Sequence, residues 1–110
     1  MITEEIKKVI ENSSNSSKCE KIIIEVAELL KHANIQMTDA QWLSLVSHLS
    51  GMVYRSTHQK PLDAIDKELF NEVSTDSLKL AEEICNLFDD LQEDEKYLLS
   101  IHFESARLQN

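Results

Sequence analysis

Two histidines sit where an imidazole would share a helix flank with a charged residue. His48 precedes Arg55 by seven positions, and Glu95 precedes His102 by seven. At ~100° per residue, seven steps return to within roughly 20° of the starting direction, so each pair lies on one flank two turns apart. A neutral imidazole nitrogen is a nucleophile near pH 7, suited to receive a phosphoryl group. The group brings nearly two negative charges, which a neighbouring guanidinium can hold. Glu95, in a first helical turn, suits the helix dipole and could orient an imidazole through one ring N–H. Gly51, the one glycine, lies between His48 and Arg55. Mid-helix it costs ~1 kcal/mol against Ala, and its small size could admit a group beside His48. The plain alternative is two boundary histidines, one beside a snorkelling arginine. His32 reads as a surface group closing a helix, and His58 as one in a polar loop.

The elements that carry these residues read as helices. Ile2, Ile6, Val9 and Ile10 have helical spacing over residues 2–11, and the polar run Asn12 to Ser17 reads as a linker. A wide stripe, Cys19, Ile22, Ile23, Val26, Ala27, Leu30 and Ala33, predicts a helix over about 18–33. Thr38 and Gln41 have capping-box spacing. The helix they open runs to about Ser56 and buries Trp42, Leu45, Val46, Leu49, Met52 and Val53. Pro61 suits a first helical position, predicting a short helix with Leu62, Ile65, Leu69 and Val73. Ser74 to Asp76 offer a cap for a helix carrying Leu78, Ala81, Ile84, Cys85, Phe88 and Leu91. The last helix carries Tyr97, Leu98, Ile101, Ser105 and Leu108 as its stripe. Leu99, Phe103 and Ala106 form a second apolar face, which implies either a fully central helix or a subunit contact and motivates the expectation of a homodimer burying part of this helix. Flanks of adjacent helices meet at the rim of a core. His48 and His102 are therefore expected to face one shared cleft or interface, rings partly exposed, with Arg55 serving either ring and Glu95 fixing a tautomer.

Composition narrows the class. The 110 residues fit one domain, and one Gly and one Pro favour an all-α fold over turn-rich β structure. The expected architecture is a compact bundle of about five helices with a short extra N-terminal helix, divided as an extension and linker over 1–17 and the bundle over 18–110. Eleven Lys+Arg against 20 Asp+Glu give a net charge of −9, which repels a phosphate backbone and excludes nucleic acid as the expected partner. No apolar run reaches ~18 residues and the N-terminus lacks signal-peptide order, so no membrane span is expected. Cys19 and Cys85 form no spaced motif. They suggest a reduced, cytoplasmic protein, with a single disulfide left open. No nucleotide loop, hydrolase elbow or zinc pattern is present, so neither enzyme activity nor a cofactor or metal is expected.

Three segments together resemble the PTS regulation domain family. His48-Leu-Ser-Gly-Met-Val-Tyr-Arg55 resembles its first histidine motif, a His-apolar pair followed by Arg seven residues on. Asp94-Glu95-Lys-Tyr-Leu-Leu-Ser-Ile-His102 is similar to its second, an acidic pair, an aromatic, then Ile/Leu-His. Leu80-Ala-Glu-Glu-Ile84 is similar to the helix between them. The resemblance spans about residues 19 to 108. It implies a helical bundle that pairs into a homodimer. It also implies phosphorylation of His48 and His102 by phosphocarrier components of the bacterial phosphoenolpyruvate-dependent sugar phosphotransferase system, with Arg55, Glu95 and Asp94 in support. Many members carry Asp immediately before the first His. Ser47 stands there in this chain, so His102 is expected to be the more dependable acceptor.

The leading expectation is thus a stand-alone regulatory domain acting through a protein partner in transcriptional or metabolic control. A structural or adaptor dimer of the same fold with silent histidines is the alternative. A small metal-dependent or acid–base enzyme using His48, His102 and Glu95 ranks third.

Overall fold

The computed structural model describes residues 3–109, with the side chain of residue 109 outside the description. Five α-helices and one 3-10 turn follow in order: α1 (Glu4–Asn12), α2 (Ser16–His32), α3 (Asp39–His58), the turn Lys67–Phe70, α4 (Thr75–Cys85) and α5 (Glu95–Gln109). The all-α expectation holds. Ile2 lies outside the described residues.

Short polar side chains start the helices by taking over orphan backbone N–H groups. Thr3 accepts from the Ile6 N–H, Asn15 from that of Lys18, and Ser74 from that of Ser77. Thr38 and Gln41 form a reciprocal capping box. The α2 helix stops where Asn34 turns left-handed, with φ 58°. Ile35 N–H then bonds back to the Leu30 carbonyl and Asn34 N–H to that of Lys31. This is a Schellman closure that folds Ile35 onto buried Leu30.

Helix α3 is the hub, packing against α1, α2 and α5, while α4 packs on α5. Its predicted stripe, Trp42, Leu45, Val46, Leu49, Met52 and Val53, is buried throughout. Ile6 and Ile10 of α1 join the same core cluster as Ile22, Ile23, Val26 and Leu30 of α2. The run read as a linker is a three-residue break. Asn12 still belongs to α1, and Ser16 and Ser17 already lie in α2.

Three expectations are corrected. The first concerns the short helix after Pro61, which is only the 3-10 turn Lys67–Phe70. Asp66 caps Glu68 N–H and restarts the chain there. Phe70 is buried against Tyr97, with ring centroids 5.7 Å apart. Leu69, one residue off that direction, is left 76% exposed. Second, α4 ends at Cys85, and Phe88 reaches the core from the turn beyond it. Third, the two faces of α5 are exchanged. Leu99, Phe103 and Ala106 are the core face, each fully buried, whereas Ile101 is 44% and Leu108 79% exposed. The face expected to carry a subunit contact therefore packs inside the protomer.

Polar ties fix the periphery. The Ser56 hydroxyl donates to the Asp89 carbonyl, joining α3 to the turn after α4. Glu104 accepts from the Ser74 and Ser77 hydroxyls and the Ser74 N–H, and these bonds hold its carboxyl below the usual carboxylate range.

The exchanged faces of α5 make a direct test. Phe103→Ala should cost about 3–5 kcal/mol by urea unfolding, the usual loss for a buried aromatic. Leu108→Ala should stay within about 0.5 kcal/mol of the parent. Equal costs would return α5 to the predicted orientation.

Candidate functional site

The site lies along the crossing of α3 and α5. His48 Nδ1 and His102 Nε2 are 3.0 Å apart. Their ring centroids are separated by 5.1 Å, with planes tilted by 54°. Both rings are half-buried. Seven residues on along α3 and seven back along α5, Arg55 meets Glu95. The Arg55 Nε donates to Glu95 Oε2 at 2.6 Å and Nη2 to Oε1 at 2.8 Å. The two contacts are rungs of one antiparallel pairing, about 10 Å apart at 1.5 Å per residue.

The rungs differ in electrostatics. Glu95 is 1% exposed and its charge is matched by a bidentate guanidinium, the geometry that best satisfies a buried carboxylate. The histidine rung carries no formal charge at neutral pH. Burial, then His102, then Arg55 push the His48 pKa down to about 4. Burial lowers that of His102 as well. With both rings neutral, one ring donates its N–H and the other accepts on its lone pair.

Gly51 has a definite role in this geometry. A Cβ there would stand 3.2 Å from Arg55 Nη1. The glycine thus lets the guanidinium lie back over the helix toward the turn of His48, its other two nitrogens held by Glu95. The small residue makes room for the arginine itself.

The structure brings together His48 with His102 and Arg55 with Glu95. It separates the rest. Glu95 does not orient either imidazole, because its two oxygens are engaged by Arg55 two turns away. Asp94 lies 3.7 Å from Lys67 Nζ. The exposed Ser47 turns its hydroxyl back to the Leu43 carbonyl at 2.9 Å. His58 is not in a loop: it is the last residue of α3, stacked on Tyr54 at 4.2 Å. His32 is exposed, 4.0 Å from Glu28. Cys19 and Cys85 are free thiols. Burial and then Glu95 push the Cys85 pKa up to about 12, and burial raises that of Cys19, so neither is an active nucleophile near pH 7. Among the described residues no three His, Cys, Asp or Glu gather as a metal-ligand set. None of the described helices is long and apolar enough to cross a membrane.

Two predictions follow from the rungs. Arg55→Met strands a buried carboxylate and should destabilise by about 3–5 kcal/mol in urea, while adding Glu95→Met should recover most of that loss. A double variant as unstable as the single one would show that the pair contributes only shape. The second prediction concerns pH. The folded pKa of His48 lies below the ordinary histidine value of 6.5, so the unfolded chain binds more protons between pH ~6.5 and ~4. Stability should fall as pH drops through that window, and His48→Asn should flatten the slope. An imidazole NMR titration should place the His48 midpoint near 4, and a midpoint at or above 6.5 contradicts a neutral buried pair.

Comparison with known proteins places this geometry. The family model described as PRD domain matches residues 20–106, which include both rungs. The crystal structure of a PRD-containing transcription regulator from Lactobacillus casei ATCC 334 superposes with a TM-score of 0.95. It is 37% identical, and the match covers 100% of this chain and 98% of that one. No match is found among curated proteins. With a family model spanning most of its length and a full-length structural relative, the chain belongs to the PRD domain family.

Proposed function

We propose that this PRD domain is a histidine-phosphorylated regulator in the bacterial cytoplasm. Phosphocarrier proteins of the sugar phosphotransferase system act on its His48–His102 pair. The observation that carries the reading is the 3.0 Å contact between two neutral, half-exposed imidazoles inside the family-matching region. In the transfer, the lone pair of an outer ring nitrogen attacks the phosphorus of the donor phosphohistidine. The new N–P bond forms as the donor's P–N bond breaks, and the electron pair returns to the donor imidazole. Arg55, fixed by Glu95 on the same flank as His48, supplies positive charge toward the added dianion. Asp94, beside Glu95 and 3.7 Å from Lys67 Nζ, adds outer acidic support in this reading.

The regulatory unit in this proposal is residues 18–110, with 1–17 as an extension whose helix α1 packs on α3. It works as a homodimer. The outward apolar Ile101 of α5 supports that assembly in place of the buried face. Added charge on a protomer of net charge −9 biases the dimer by about 1–3 kcal/mol, a typical coupling energy. The state passes to a protein partner in transcriptional or metabolic control, in keeping with the transcription-regulator relative. The strongly acidic composition argues against a nucleic-acid target.

Phosphoenolpyruvate, the general phosphocarrier proteins and the purified chain form the test. The parent should take up label, the double variant His48→Ala/His102→Ala should lose it, and light scattering should register a change in association on labelling. A double variant labelled as fully as the parent would move the site elsewhere. An unlabelled parent would leave the adaptor reading.

A further inference from the structure

The hydrogen bond between the rings limits what the pair can accept. Two neutral imidazoles carry four nitrogens, two protons and two lone pairs. One proton and one lone pair are consumed between His48 Nδ1 and His102 Nε2, which lie 3.0 Å apart. What remains for the outer nitrogens, His48 Nε2 and His102 Nδ1, is one N–H and one lone pair. When His48 donates, its own Nε2 is the free nucleophile and His102 Nδ1 is protonated. When His102 donates, the roles reverse. In either arrangement a single outer nitrogen can attack phosphorus.

We propose that the folded His48–His102 pair takes one phosphoryl group at a time, on either ring, and that occupation of one ring closes the other. The proposal rests on the phosphoacceptor reading above and adds its stoichiometry. Once His48 Nε2 is phosphorylated, its ring keeps the Nδ1 proton. That proton stays in the bond to His102 Nε2, where the cationic ring is also stabilised by its own phosphoryl dianion. His102 Nδ1 then remains an N–H and has no lone pair to offer. A second transfer would have to open the pair and set a second dianion on the neighbouring ring, whose centroid is 5.1 Å from that of the first. Arg55 cannot relieve this, because two of its nitrogens are held by buried Glu95. The pair is therefore a one-place register, read identically by a partner that senses charge but differently by one that senses which helix bears the group.

A chemical donor separates this claim from the identity of the biological one. Phosphoramidate transfers its phosphoryl group to an imidazole lone pair as its own P–N bond breaks and ammonia leaves. The full chain would carry His32→Asn and His58→Asn, so that exposed rings do not count. Intact mass, quenched at alkaline pH, then reads the number of groups added. The folded chain should reach one group, and the same chain in urea should reach two. His48→Ala and His102→Ala, introduced singly and folded, should each still accept one. Two groups on the folded chain at the rate of the first overturn the proposal, as does either single variant remaining unlabelled. Labelling limited to one by phosphoramidate, with none from the phosphocarrier proteins, would sustain the single-place rule and remove the phosphotransferase reading.

Discussion

The Arg55–Glu95 ion pair sets the geometry on which the rest of the site depends. A carboxylate 1% exposed is tolerated only with its charge matched and its oxygens satisfied. The bidentate guanidinium does both, and it does so at one register of α3 against α5. A slip of one residue on either helix would swing its partner by ~100° and leave the carboxylate unmatched. The same register sets the histidine contact two turns away. The charged rung can thus be seen as a positioning device for the neutral one. Whatever the ion pair adds to net stability, it excludes the neighbouring alignments.

Around that axis the sequence removes obstacles and adds ties. Gly51 sacrifices helix propensity so that the guanidinium can lie along α3. The hydroxyl of Ser56 anchors the far end of α3 to the turn after α4, and the Glu104 carboxylate gathers the start of α4 onto α5. The hub helix therefore has apolar packing on three sides and polar anchors at the site. This division keeps the imidazoles at the border of core and solvent, where burial is deep enough to keep them neutral and shallow enough to leave an edge accessible.

Much of this was legible in the residues. The capping box, the α3 stripe and the shared flanks of His48 with Arg55 and Glu95 with His102 are all local periodicities, and local periodicity survives folding. The parts that were not legible depend on contacts between segments. Glu95 had two chemically reasonable partners, an imidazole on its own helix or a guanidinium on another, and spacing within α5 cannot choose between them. The α5 helix carries apolar residues on both sides, so its pattern alone could not tell Leu99, Phe103 and Ala106 from Tyr97, Leu98 and Ile101. The stretch after Pro61 has helical spacing, yet Phe70, which lies off that stripe, wins burial against Tyr97. Nothing in the local pattern marks Phe70 as the anchor.

The histidine contact joins residues 54 positions apart in the chain. Neither helix alone contains the contact, and bringing such distant points together carries a closure entropy on the order of 3–4 kcal/mol. Such an arrangement arises as a product of global folding, not of nascent local structure. A fragment, a partly folded intermediate or a chain with α5 detached would display two ordinary surface imidazoles that titrate and react independently. The topology thereby acts as proofreading: the paired state is available only to molecules that have completed their fold.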